Sequence, residues 1–186
     1  TYNLSTAELN QIMDGWSLIS FGLVTNDAAM NVGAYTWNDS VKFQNDSGVI
    51  TIAGTQNVGT NDLTIHSDAN PSVTAPLVGS GTLTLEPDAS GTTVGVAGGS
   101  GTYNLSLAEL DQIADGWAEI IIGRTNSTAA LNVNAYDWND SLRLQTNSGV
   151  VNIAGTQNLG ANNLRITTSG NLALNANLSG TGDLTI

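Results

Sequence analysis

The chain of 186 residues contains no cysteine. Disulfide bridges and thiolate-bound metals are therefore excluded, and the fold must depend on packing and hydrogen bonds. Long apolar stretches are also missing: none approaches the roughly 20 residues that a membrane-spanning helix needs, so we expect no membrane insertion. The sequence shows no initiator methionine and no signal peptide. Any export signal is accordingly expected outside these residues.

Basic residues are scarce, because four Lys and Arg stand against sixteen Asp and Glu, a formal net charge of -12. Nucleic-acid binding requires a basic surface that displaces counterions, so no nucleic-acid partner is expected. An acidic surface of this kind keeps a long polymer soluble. Only 11% of the residues are charged, whereas Gly, Asn, Thr and Ser are abundant. This composition is typical of secreted β-rich proteins and predicts an extracellular or cell-surface location.

What the sequence does contain is an internal repeat. Trp16 recurs as Trp117, and the offset of 101 residues holds without a gap to the end of the chain. The chain therefore divides into a first unit, residues 1–101, and a second unit, residues 102–186, which stops before the counterpart of residues 86–101. That tail either links two separate domains or forms the last turn of one continuous stack. The stack is favoured, because residues 92–96 have the character of a short strand.

Each unit opens with the signal for a short helix. Ser5 is followed three residues later by Glu8, the spacing of a capping box, and Leu9 and Ile12 then lie on one apolar face. Gly15 marks the expected end of the helix. The second unit repeats all of these features. The sequence predicts helices over residues 5–15 and 106–116.

Short alternating runs follow each helix and predict strands bounded by turn residues. In the second unit they cover residues 119–123, 130–135, 142–145, 150–154, 163–167, 172–175 and 183–186. Equivalent positions recur every 20–22 residues, as in the series Ile122, Leu144 and Ile166. A coil of this length is typical of one turn of a parallel β-helix, whereas an antiparallel sandwich imposes no such period. The predicted fold is all-β, a parallel β-solenoid with a capping-box helix at the start of each unit.

The helical segment carries a resemblance to a known family. Its pattern Leu-Ser-x-Ala-Glu-Leu-x-x-Ile-x-Asp-Gly at residues 4–15 and 105–116, with Ile-Ile-Gly-Arg at residues 121–124, resembles repeats in very large bacterial surface proteins of the filamentous haemagglutinin type. The first unit departs from the pattern at residues 21–23, which read Phe-Gly-Leu and lack the arginine. The resemblance covers both units. It implies a right-handed parallel β-helix in an exported adhesin or matrix protein, and it implies no catalytic residue.

Candidate site residues come from the shared motif Trp-Asn-Asp-Ser. Trp37 and Trp138 are candidates for stacking on a carbohydrate, although packing against the core is the favoured interpretation. Asp39 and Asp140 are candidate calcium ligands, because carboxylate oxygens in turns suit that ion, and Asp46 and Asp62 of the first unit lie in similar loops but are replaced by Asn147 and Asn163 in the second. A structural turn is favoured for all of them. The only histidine, His66, is replaced by threonine in the second unit, so imidazole catalysis is not a property of the repeat. We expect neither a cofactor nor an enzyme.

The leading functional interpretation is a structural or adhesive segment that acts as a rigid stalk or scaffold in a large exported protein. One alternative is a module that binds glycans or another cell's surface through exposed Trp, Asn and Asp side chains. A further alternative is a polysaccharide-cleaving β-helix enzyme. The expected partners are neighbouring repeats of the same chain, and uncovered strands at both ends predict end-to-end self-association.

Overall fold

A computed structural model describes residues 5–186. Within that range the chain forms two helices, α1 (Thr6–Leu9) and α2 (Leu107–Leu110), and 22 short strands. The strands of the first unit are β1 (Ile19–Phe21), β2 (Met30–Val32), β3 (Tyr35–Thr36), β4 (Val41–Gln44), β5 (Ile50–Ile52), β6 (Gln56–Asn57), β7 (Leu63–His66), β8 (Ser72–Val73), β9 (Leu77–Val78), β10 (Thr82–Glu86) and β11 (Val94–Val96). Those of the second unit are β12 (Tyr103–Leu105), β13 (Glu119–Gly123), β14 (Leu131–Val133), β15 (Tyr136–Asp137), β16 (Leu142–Gln145), β17 (Val151–Ile153), β18 (Gln157–Asn158), β19 (Leu164–Thr167), β20 (Leu172–Leu174), β21 (Leu178–Ser179) and β22 (Leu184–Thr185).

Every ladder between these strands is parallel, and the chain winds as a β-solenoid of about eight turns. Its long face is one sheet in the order β1-β4-β7-β10-β13-β16-β19-β22. The second face contains the sheets β2-β5-β8 and β12-β11-β14-β17-β20, and the third face contains β3-β6-β9 and β15-β18-β21. The predicted fold class is thereby confirmed.

The core consists of columns of apolar side chains that run along the stack. On the long face, Leu63 lies opposite Leu83, and Leu83 in turn lies opposite Ile120. The predicted series Ile122, Leu144 and Ile166 forms one such column, and all three side chains are buried. The period of 20–22 residues therefore arises because each coil places its inward side chains directly on those of the coil before it.

The boundary between the two units lies inside the long face. Strand β10 of the first unit pairs with β13 of the second in four registered positions, from Thr82↔Glu119 to Leu85↔Ile122. The tail at residues 86–101 does not link two domains, because it contains β11, which pairs with both β12 and β14. The two units form one continuous stack, as favoured from the sequence.

Both helices are shorter than predicted. The capping boxes of Ser5 and Ser106 are present, but each helix has only four residues instead of the eleven expected from residues 5–15 and 106–116. In the second unit, Ile113 forms a parallel bridge with Leu77, which donates its N–H to the carbonyl of Gln112 at 2.9 Å. A residue engaged in β pairing cannot continue a helix. Pairing with the preceding coil therefore overrides the helical spacing of the apolar residues.

The strands of the third face were not predicted. Each has two residues, too few to show the alternation of apolar and polar side chains that identifies a strand. The strands predicted from the alternating runs are otherwise present within one or two residues of their predicted ends. Six of the turns thus have three short strands where the spacing suggested two, and in the turn that begins with β10 the bridge of Ile113 with Leu77 takes the place of a third-face strand.

Candidate functional site

The tryptophans of the Trp-Asn-Asp-Ser motif lie at a corner of the coil and face inward. Trp37 and Trp138 are each 4% exposed, and the Nε1 of each donates to a glutamine one coil later, Gln56 or Gln157, at 2.9 Å. The amide of Gln56 in turn donates to the carbonyls of Gly33 and Gly54, both at 2.7 Å. These rings hold neighbouring coils together.

The glycan-binding role suggested for Trp37 and Trp138 therefore does not match their positions. Stacking on a sugar requires an accessible ring face, and burial removes it for both residues. The ring of Trp37 instead packs against Tyr35, with ring centroids 4.5 Å apart, and against Phe21. The favoured interpretation as core residues is the correct one.

The two candidate calcium ligands serve the turn that follows each helix. Asp39 accepts a hydrogen bond from the Gly15 N–H at 3.1 Å, and Asp140 accepts one from the Gly116 N–H at 2.8 Å. Both carboxylates are buried. Desolvation raises the pKa of Asp140, against the lowering effect of the Gly116 backbone N–H. Among residues 5–186, neither carboxylate belongs to a group of three that could share a metal ion. A structural role in holding the turn fits both residues.

A different set of carboxylates does converge. Asp46, Asp68 and Asp88 follow β4, β7 and β10, and one oxygen from each lies within 4.8 Å of the others. They occupy equivalent positions on three successive coils, so the solenoid stacks like charges at one corner. Partial burial, followed by repulsion from Asp27, Asp88 and Asp68, raises the pKa of Asp46. We call these three side chains the carboxylate ladder. Their spacings of 22 and 20 residues match the length of a coil and would have revealed the ladder from the sequence.

His66 lies beside this ladder with its ring almost completely buried. Its Nδ1 is 2.8 Å from Glu86 Oε1, and its Nε2 is 2.6 Å from Asp88 Oδ1. Both contacts are N–H···O hydrogen bonds when both ring nitrogens carry a proton, which makes the ring an imidazolium. Since both nitrogens are occupied by protein carboxylates, the ring has no free nitrogen with which to take a proton from a substrate.

The hydrogen bonds of the ladder bear on its capacity to hold a cation. Calcium takes six to eight oxygen ligands. Asp68 Oδ1 already accepts from the Ala89 N–H and the Thr92 hydroxyl, both at 2.8 Å, and Asp88 is bonded to His66. These carboxylates are therefore committed to joining coils of the first unit. The second unit lacks the arrangement, because asparagine replaces Asp46 and serine replaces Asp68.

Concave surfaces lie at both ends of the stack and, in the second unit, beside Tyr136 and Asp137. At the N-terminal end, Gln11, Ile12, Met13, Trp16, Leu18 and Ile19 line an open apolar groove. At the C-terminal end, a cleft of about 340 Å³ is lined by Leu159, Asn162, Leu164, Leu178, Ser179, Gly180, Gly182, Asp183 and Leu184. Sequence reasoning did not identify these surfaces, because it did not show which copy of each segment is covered.

Comparison of the chain with protein-family models, characterised proteins and solved structures found no match. Among the described residues, no helix has the length and apolar character required to cross a bilayer.

Proposed function

We propose that this chain is a rigid stalk or scaffold segment of a large exported bacterial surface protein. The observation that carries the proposal is the continuity of the long face, whose sheet passes from the first unit to the second without interruption. A repeat that joins its neighbour through a shared sheet and core adds length while preserving stiffness. Such a segment holds more distant parts of its protein away from the cell surface.

The dimensions of the coil set how much length each unit contributes. Strands in a sheet are about 4.8 Å apart, and four strand spacings on the long face separate β1 from its counterpart β13. Each 101-residue unit therefore extends the stalk by about 19 Å. Backbone hydrogen bonds run along the axis throughout, so bending at the unit boundary would break the pairing of β10 with β13.

Composition and resemblance support the exported location. The chain has no cysteine, has a net charge of -12 and is rich in Gly, Asn, Thr and Ser. The helical segments at residues 4–15 and 105–116 resemble those of filamentous haemagglutinin-type repeats. An acidic surface with few charged residues overall suits a long, soluble, extracellular polymer.

Small-angle X-ray scattering on the chain and on tandem arrays of two, three and four complete units tests this role. A stalk predicts a maximum dimension that increases by about 19 Å for each unit and a cross-section that stays constant. Independent domains on flexible linkers would instead give larger, broadly distributed dimensions, and that result would rule out the stalk. Electron microscopy of the longest array provides the direct image.

A further inference from the structure

The turn that joins β10 to β11 spans the boundary between the two units. We call residues 86–92, which begin at the end of β10, the strap. On one side the Ala89 N–H of the strap donates to Asp68 of the first unit at 2.8 Å. On the other side the Ser90 carbonyl accepts from the Thr128 N–H of the second unit at 2.8 Å. The strap therefore connects a coil of one unit to a coil of the next.

His66 holds the beginning of the strap at two points. Its Nδ1 lies 2.8 Å from Glu86 Oε1, and its Nε2 lies 2.6 Å from Asp88 Oδ1. The side chain of His66 is only 6% exposed, and both carboxylates are mostly covered. Water therefore competes little for these hydrogen bonds, which are stronger than contacts at an open surface. One buried ring thus bridges the two carboxylates with which the strap begins.

The two contacts set a requirement on the protonation of the ring. An ionised carboxylate only accepts hydrogen bonds, so each ring nitrogen must carry a proton in order to donate one. A neutral imidazole has a single N–H, and its other nitrogen presents a lone pair. Loss of one proton therefore converts one of the two contacts from a charge-assisted hydrogen bond into repulsion between a lone pair and a carboxylate oxygen.

The groups around the ring show what its positive charge does for the strap. Carboxylates of three successive coils lie around it: Asp46, Asp68, Glu86 and Asp88. Gln44, the neighbour of His66 in the sheet on the side of β4, is neutral. Arg124 reaches the strap from the second unit but donates to the Pro87 carbonyl at 3.1 Å. Deprotonation of His66 therefore leaves the stacked carboxylates without the cation that contacts two of them, and their mutual repulsion increases.

We propose that His66 is a proton-dependent clip for the strap. With both nitrogens protonated, the ring holds Glu86 and Asp88 against β7. Loss of one proton releases this end of the strap and loosens the connection between the units. Thr167 occupies the corresponding position of the second unit, so the clip belongs to the first unit only. The inference concerns this single joint and does not depend on the proposed stalk role.

The composition of the chain allows the clip to be tested by titration. Histidine, cysteine and the α-amino group are the classes that ordinarily titrate between about pH 6 and 9. The chain has one histidine and no cysteine. Nuclear magnetic resonance of the isotope-labelled ring nitrogens distinguishes the imidazolium from either neutral tautomer across this range. Hydrogen exchange of the Ala89 amide reports opening of the strap in the same samples.

We expect the strap to open over the same pH interval in which the ring loses its proton. After correction for the intrinsic pH dependence of amide exchange, the opening constant at Ala89 should rise by about tenfold or more, the size expected when a hydrogen bond to a charged group is lost. The Ser169 amide is the matched control, because it corresponds to Asp68 and donates to the Asn147 carbonyl in the second unit. Its opening constant should remain unchanged.

His66→Gln tests whether the pH dependence comes from the ring. Glutamine retains an N–H donor, does not titrate, and fits a column of the sheet that already contains Gln44. The opening constant at Ala89 should therefore be independent of pH in this variant. Thr167→His, added to the same variant, restores a titrating ring at a position away from the strap, and the pH dependence should not return. Circular dichroism confirms that each variant retains its strands.

Several results would overturn the proposal. A ring that is already neutral at about pH 6 in the folded chain would lack the second donor, and a ring that keeps both protons to about pH 9 would not act as a switch. An opening constant at Ala89 that stays constant while the ring loses its proton would separate the two events. Equal pH dependence in His66→Gln would assign the effect to another group. Scattering from covalent arrays tests the stalk independently, so none of these results decides its outcome.

Discussion

The two copies of the helical segment, residues 5–17 and 106–118, share a sequence pattern but not an environment. Both begin with the same capping box and end at a glycine with positive φ, Gly15 or Gly116. The second copy is held between coils, so Leu110 is buried, whereas its counterpart Leu9 is only half buried at the end of the stack. Local sequence therefore sets the shape of this segment, and the preceding coil sets its burial.

The largest difference in stability should come from substitution of Trp117 and of Trp16. Trp117→Ala removes an indole ring enclosed by Gly79 and Val58, and we expect a loss of about 3–5 kcal/mol in the free energy of unfolding. Trp16→Ala removes an exposed ring and should change that free energy by no more than about 0.5 kcal/mol. Guanidinium unfolding at low protein concentration measures both. Equal losses would show that the two segments are packed alike.

The contacts of His66 with two carboxylates occur in the first unit only, and substitution of this residue tests their contribution to stability. His66→Thr installs the residue of the second unit and leaves Glu86 and Asp88 without their shared donor. Since hydrogen bonds to charged groups contribute about 1.5–3 kcal/mol, we expect a loss of about 2 kcal/mol. The reverse change, Thr167→His, places a ring at an exposed position and should have little effect. Equal shifts in the unfolding midpoints of the two variants would contradict this role for His66.

Substitution of Gly79 and of Gly180, the two glycines at the third face, should produce a smaller difference in stability. Gly79→Ala forces Trp117 to move, and overpacking of this kind costs about 1–3 kcal/mol, reduced by the entropy that alanine removes from the unfolded chain. We expect a net loss of about 1–2 kcal/mol. Gly180→Ala places a Cβ atom 3.2 Å from Leu159 Cβ and 3.3 Å from the Gly160 carbonyl oxygen, without an indole ring in the way, and should cost much less stability. Thermal unfolding of the two variants gives the comparison. If Gly79→Ala left the stability unchanged, the ring of Trp117 would not pack over residue 79.

The smallest expected effect concerns the carboxylate ladder. Asp46→Asn installs the residue of the second unit and removes one of the stacked charges. Because the pKa of Asp46 is raised in the folded chain, ionisation of this group destabilises the fold. That penalty is absent below the ordinary pKa of 3.8 and becomes complete as the pH rises through the folded-state pKa. The variant should therefore melt slightly higher than the parent at neutral pH and equally at pH 3. A lower melting temperature at neutral pH would indicate that the carboxylate accepts a stabilising bond.

The sequence predicted the core well, because the length of each coil appears in the sequence as a regular spacing of apolar residues. Ile122, Leu144 and Ile166 stack because hydrogen bonding between coils requires equal coil lengths, and that requirement is visible as a constant spacing. The helix ends could not be predicted, because the bridge from Ile113 to Leu77 connects residues 36 positions apart. The burial of Trp37 agrees with the interpretation favoured from the sequence, but its hydrogen-bond partner, Gln56, comes from the next coil and could not be identified from local sequence.

The short strand β12 has a geometric consequence for a chain of many units. It pairs with β11 on the side opposite β14, so the second face has two strands at a level where the long face has only β10. The extra strand acts as a wedge about 4.8 Å thick on one side of the axis. Inserted once in every 101 residues, the same wedge would tilt each unit in the same sense relative to the last. A long array would then follow a gentle superhelical path, stiff along its contour but curved in space.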